Sequence, residues 1–226
     1  MVEPPGATGP TGDWEKLYAT SDVATLPWYT PGLDADIERA LKARRLRGSR
    51  VLDLGTGPAT QAMNLAKRGF DVVATDISPS AIKKARASAK GAGLSITFLV
   101  DNVLKSKLAP ALVDAIVDRG VFHVLPADKR PVYVRTVHRV LRPSGWLFLK
   151  CFSDKEPGTW GPHRIAAPVL RGYFRGPFEI RSVVETVFHG NVKPPPNALF
   201  ATFRRRASAT SIGRPQNRER KRSTRS

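Results

Sequence analysis

The decapeptide Val51-Leu52-Asp53-Leu54-Gly55-Thr56-Gly57-Pro58-Ala59-Thr60 decides how the rest of the chain is read. An apolar run ends at an acid, and two glycines follow at alternate positions before a helical pattern begins. That order predicts a short buried strand over 50–54, a turn that lets a ligand approach the backbone, and a helix over about 59–68. A dinucleotide fingerprint would need glycine where Thr60 stands, and a P-loop would need Gly-Lys-Ser/Thr, which is absent. What remains is an acid two residues ahead of the first glycine. It is a poor neighbour for pyrophosphate and a good one for an ammonium group.

Outward from this turn the pattern alternates. Strands are expected over 71–75, 95–100, 115–118 and 146–150, and helices over 33–46, 78–91, near Lys107 and over 127–141. Alternating strands and helices imply an α/β fold with a parallel sheet and right-handed crossovers. The last third changes character: a helix over 164–174 precedes two β-rich runs, 178–188 and 198–203, expected as a terminal antiparallel hairpin. Asp76 closes the second strand, 21 residues beyond Gly55, at the place where a carboxylate accepts ribose hydroxyls. Asp101 closes the third strand, so three carboxylates are expected at one edge of the sheet. Asp114, at the start of the fourth strand, belongs to the opposite edge and is read as structural.

The 226 residues allow one ordinary domain. No apolar stretch approaches the roughly 18 residues of a membrane-spanning helix, and the Pro/Gly-rich start lacks a signal-peptide pattern. A cytoplasmic protein without membrane contact is expected. The single cysteine, Cys151, excludes an internal disulfide and any multi-cysteine zinc site, and it reads as a small buried hydrophobe. No metal site is expected. The net charge is +18, of which the segment 204–226 carries +8 from nine basic residues and one acid. That segment is too poor in large apolar residues to offset chain entropy, so a domain over 1–203 and a disordered basic tail over 204–226 are expected. Such a tail suits nonspecific contact with nucleic acid.

The motifs VLDLGTGPAT, VVATDIS, FLVDN, AIVDRGVFHVLP and LRPSGWLFLK together resemble the class I S-adenosylmethionine-dependent methyltransferases over about residues 14–203. The resemblance implies a Rossmann-like, seven-stranded, mostly parallel sheet and S-adenosylmethionine as cofactor. It further implies that Gly55, Thr56 and Gly57 cradle the methionine portion, with Asp53 near the ammonium. Asp76 would bind the ribose, Asp101 the adenine amino group, and Ile77 and Asn102 would flank the ring. Ala59 departs from the family's usual third glycine.

A narrower resemblance, to the thiopurine/thiol and tellurite-resistance type methyltransferases, rests on Trp14-Glu15-Lys16-Leu17-Tyr18, Pro27-Trp28, Asp118-Arg119-Gly120 and GPHRI at 161–165. It implies an N-terminal lid over about 12–32, with Trp14 and Trp28 closing over the sulfonium, and Asp118 beside the cofactor. An aromatic face attracts such a cation. The acceptor implied is a small soft nucleophile: a thiol, sulfide, or a selenium or tellurium species. Arg119, His123 and His163 are then the candidate catalytic residues. Arg119 would lower a thiol pKa, His123 would act as base or acceptor contact, and His163 would lie in a loop over the acceptor. Two alternatives stay open: an O-methyltransferase for a small quinol or phenol, and a nucleic-acid-binding protein of this fold that uses its basic tail. The chain is expected as a monomer or homodimer.

Overall fold

The computed structural model describes residues 13–207. Its elements are α1 (Trp14–Thr20), α2 (Ala35–Ala43), β1 (Arg50–Leu54), α3 (Thr60–Lys67), β2 (Asp71–Asp76), α4 (Pro79–Gly91) and β3 (Thr97–Val100). They continue with β4 (Val113–Arg119), α5 (Arg130–Val140), β5 (Leu141–Phe152), α6 (Ala167–Phe174), β6 (Phe178–Val187) and β7 (Asn197–Arg205). The strands form one seven-stranded sheet in the order β3-β2-β1-β4-β5-β7-β6. Neighbours from β3 to β5 run parallel, and β7 runs antiparallel to both β5 and β6. The terminal hairpin expected from the sequence is therefore present, with its second strand inserted between β5 and β6.

Residue alternation divides the core into two layers. On β5, Leu147, Leu149 and Cys151 face the α5–α6 layer, whereas Phe148 packs among residues of α2, α3 and α4. Cys151 is fully buried inside β5, as a hydrophobe. The same period carries Lys150, on the α2 side, into the interior with no exposed surface. Ser78 caps α4 by accepting from the Ala81 amide at 3.0 Å, and Pro79 opens that helix. The Lys107 region is an irregular segment after a single helical turn over Val103–Lys105. Asp114 lies at the edge away from the glycine turn, accepting from the Arg50 amide and pairing with Arg142.

Several boundaries differ from expectation, two of them at the sheet's centre and end. β5 starts early because Leu141 already pairs with Val113 ahead of a register shift, and it ends late because Cys151 and Phe152 pair with Leu199 and Ala198. The domain does not stop at residue 203: Arg204 and Arg205 are paired members of β7, opposite Trp146 and Phe178. The expected disorder of the tail concerns, from residue 208 onward, residues outside those described. Among the described residues, no helix is long and apolar enough to cross a membrane.

Candidate active site

The ends of β1, β2, β3 and β4 meet under α1 and the loop after β6, and they enclose a cavity of about 270 Å³. Its floor is the glycine turn. Gly55, Gly57 and Ala59 all have positive φ, at 69°, 48° and 61°. A Cβ on Gly55 would stand 2.2 Å from Val121 Cγ2, and one on Gly57 2.5 Å from the Tyr18 hydroxyl, so both positions need glycine for space as well as conformation. Ala59 adopts the left-handed conformation despite its side chain, at a cost of about 1 kcal/mol.

Each expected acid has a distinct environment. Asp53 accepts from the Thr56 hydroxyl at 2.6 Å and the Ala62 amide at 3.1 Å, both through Oδ2. Its complete burial pushes its pKa up to about 6. Asp76 accepts from the Gly57 amide with Oδ2 and the Ser78 amide with Oδ1, each at 2.9 Å, and burial raises its pKa as well. Asp101 accepts from the Lys107 amide through Oδ1, while its Oδ2 is buried without a partner. All three line the cavity, together with Ile77, which is 49% exposed, and Asn102, which caps the following turn through Leu104.

The N-terminal segment is fastened over this floor. Glu15 accepts from the Ser78 and Ser80 hydroxyls and the Ser80 amide, which pins α1 to the start of α4. Trp14 and Trp28 meet edge to face at 5.9 Å, and both line the cavity. Tyr18 belongs with them: it is buried, lines the cavity and sits over Gly57. The aromatic cluster of residues 14–28 was visible in the sequence, but which of its rings would reach the turn was not.

At the other end, Phe152, Trp160 and Phe188 form aromatic walls around His123. Three of the sequence expectations change here. His123 has its Nδ1 occupied by the Phe152 amide at 2.9 Å, and burial, followed by the nearby Arg130 and Arg119 charges, pushes its pKa down to about 3. It is a neutral wall residue without a free basic nitrogen. His163 does not line the cavity; its amide donates to the His123 carbonyl at 3.0 Å. Asp118 does not line it either. Its carboxylate accepts from the Gly120, Val121 and Phe122 amides and the Tyr133 hydroxyl, so it shapes the loop after β4 from below.

Arg119 does line the cavity, but its donors are committed elsewhere. Nε donates to Asp34 Oδ2 at 3.1 Å, Nη1 to the Trp28 carbonyl at 2.9 Å and Nη2 to the His189 carbonyl. Its guanidinium lies 4.6 Å from the Phe188 ring centroid, and His123 also stacks on that ring. Behind Arg119, the buried Lys150 donates to both oxygens of Asp34 and to Asp36 Oδ2, at 2.8–2.9 Å. Nothing in the sequence marks this cluster, because Asp34 and Lys150 are separated by 116 positions. Among the described residues no group of His, Cys, Asp and Glu is arranged to hold a metal.

Residues 51–145 match the family model described as a methyltransferase domain. The chain is 30% identical over 148 residues to the 2-heptyl-1-hydroxyquinolin-4(1H)-one methyltransferase of Mycobacteroides abscessus, covering 64% of this chain and 65% of that protein. It is 30% identical over 125 residues to an uncharacterised methyltransferase of Schizosaccharomyces pombe, covering 54% of this chain and 86% of that protein. A solved structure from work on the conversion of a disulfide bond into a thioacetal group during echinomycin biosynthesis superposes with a TM-score of 0.72 at 26% identity, covering 83% of this chain and 88% of that one. The chain belongs to the class I S-adenosylmethionine-dependent methyltransferase family. It spans slightly less than two thirds of the quinolinone relative's length.

The residues present fit the family's cofactor, S-adenosylmethionine. Gly55, Thr56 and Gly57 line the cavity together with the three acids, and a buried carboxylate oxygen at Asp101 stands without a donor.

Proposed function

We propose that this protein transfers a methyl group from S-adenosylmethionine to a small acceptor whose nucleophile needs no deprotonation by the enzyme. The thiol class fits best: a thiol, sulfide, or a reduced selenium or tellurium species. The observation that carries this reading is the cavity itself, which has three carboxylates at one end and aromatic walls with no free base at the other.

The cofactor supplies a methyl group already activated by positive sulfur. Around it, the Gly55–Gly57 turn and Asp53 take the amino-acid end, Asp76 accepts from the ribose hydroxyls, and Asp101 Oδ2 accepts from the adenine amino group. Ile77 and Asn102 flank the ring, and Trp14 and Trp28 present aromatic faces near the cation. Positioning and exclusion of water then carry most of the catalysis. A thiol with a pKa of about 8.5 is already partly ionised near neutral pH, and the buried Arg119 charge favours the anion. The neutral His123 ring shapes the pocket and leaves proton removal to solvent.

A second reading, transfer to an acidic ring hydroxyl, is favoured by the aromatic walls at Phe152, Trp160 and Phe188. It also accords with the hydroxyquinolinone named for one relative. Release of S-adenosylhomocysteine by the purified chain, measured against small thiols, sulfide, selenide and a quinol, tests both readings. Turnover with the first three supports the thiol class, and turnover confined to the quinol replaces it with the second reading. Silence across the panel overturns the base-free, small-acceptor proposal.

A further inference from the structure

Seven strand termini collect at the edge of the sheet opposite the cavity, and arginine dominates them. The turn between α2 and β1 carries Arg44, Arg45 and Arg47, β1 opens at Arg50, and Arg142 is the second residue of β5. Because β7 runs antiparallel, it ends at this same edge with Arg204 and Arg205, and Arg206 follows. Three acids stand among them. Asp71 pairs with Arg50, Asp114 with Arg142, and Glu179 with Arg181. Among the described residues, no ion pair involves Arg44, Arg45, Arg47, Arg204, Arg205 or Arg206.

Two of these charges are held in place. Arg44 lies 4.3 Å from the Trp146 ring centroid and donates to the Thr202 hydroxyl, and Arg204 lies 5.9 Å from the same ring. Arg45, Arg47, Arg204 and Arg206 are exposed. The three acids here are already paired, so six like charges stand without a carboxylate partner, an arrangement that costs stability unless an anion settles against it. The chain continues from this edge for 19 residues beyond Ala207, with six basic residues and one acid among them.

We propose that this edge is a docking surface for nucleic acid, with single-stranded RNA phosphates bridging the α2–β1 turn and the end of β7. At about 3.3 Å per residue, the five residues of β1 separate this edge from the glycine turn. The RNA is therefore a docking partner at one end of the strands, and the cofactor cavity lies at the other.

The test uses the full chain and a fluorescein-labelled 20-nucleotide polyuridine, with binding followed by anisotropy over a salt series. Arg45→Glu, Arg47→Glu and Arg206→Glu together should weaken binding at least tenfold and flatten the salt dependence by about two units of slope. The three corresponding lysine replacements should retain binding. Reversal of three exposed cations elsewhere, Lys83, Lys129 and Arg135, changes the net charge equally and should leave affinity within about threefold. Equal losses in the two reversal variants would overturn the proposal by making the effect one of bulk charge. Unchanged binding in the first would overturn it by leaving contact to the segment beyond residue 207. A first variant that releases phosphatidylserine vesicles while still holding RNA would assign the edge to a membrane surface instead.

Discussion

Arg119 and Lys150 stand side by side in register on β4 and β5, and both donate to the same carboxylate, that of Asp34. Asp34 is 3% exposed and is the cap residue of α2, so one acid fastens a helix start to two adjacent strands. Asp36 accepts from Lys150 as well and is bound by Arg39 and Thr186. The cluster is buried, paired and hydrogen-bonded, the condition under which buried charges are tolerated.

Removing one member should be severe. Lys150→Met leaves Asp34 to Arg119 alone and Asp36 to the exposed Arg39, with buried carboxylate oxygens that have lost their donor, and it should lower unfolding stability by about 3 kcal/mol. Urea denaturation followed by circular dichroism measures it; a loss below 1 kcal/mol would show that the acids find other partners or protonate at little cost.

Arg119 binds three partners with one planar group, which a lysine cannot do. Arg119→Lys should keep the charge near Asp34 but release the Trp28 or His189 carbonyl. Dissociation of S-adenosylhomocysteine should then speed up about tenfold, read by stopped-flow tryptophan fluorescence. An unchanged off-rate with reduced turnover would return Arg119 to the chemistry and away from the lid.

Asp101→Ala tests the unpartnered oxygen. Loss of a charge-assisted hydrogen bond should weaken S-adenosylhomocysteine binding by about 2 kcal/mol, measured by calorimetry. S-adenosylhomocysteine affinity equal to that of the unmodified chain would remove Asp101 from the adenine site.

The pH dependence of Asp53 has opposite signs for folding and for binding. Its folded pKa of about 6 lies above the unfolded value, so the native state binds the extra proton between about pH 4 and 6. Its contribution to stability is therefore present at low pH and lost as pH rises through 6. Binding of a ligand ammonium needs the carboxylate, so cofactor affinity should fall by up to tenfold per unit below pH 6. Calorimetric titrations at pH 5, 6 and 7.5 should show this trend, and Asp53→Asn should abolish it. A flat profile in the unmodified chain would detach Asp53 from the ammonium.

The order of elements was legible because each strand and helix carries its own period and its own punctuation. Leu54-Gly55, Asp76-Ile77 and Asp101-Asn102 mark strand ends by local chemistry, and the three acids duly meet at one cavity. The acceptor end was less legible. His123 and Arg119 sit at the expected edge, yet what each nitrogen bonds depends on Phe152, Trp28 and His189, which come from remote segments. Asp118 misled for the same reason: an acid after an apolar strand looks alike whether it faces a ligand or caps its own loop. The Asp34–Lys150 pair was invisible, since a lysine inside an apolar strand announces burial only once its partners are known.

The roof over the cavity is stitched from two segments far apart in the sequence. Asn191 donates through its side chain to the Ala24 and Leu26 carbonyls and through its amide to Pro27, and a Cβ on Gly190 would stand 2.3 Å from the Pro27 oxygen. The segment around residues 24–27 therefore cannot settle until the loop after β6, some 165 residues further along, has been made. The cofactor compartment is sealed late, when residues made after β6 reach those made before α2, and a chain halted before β6 would present an open floor without its cover.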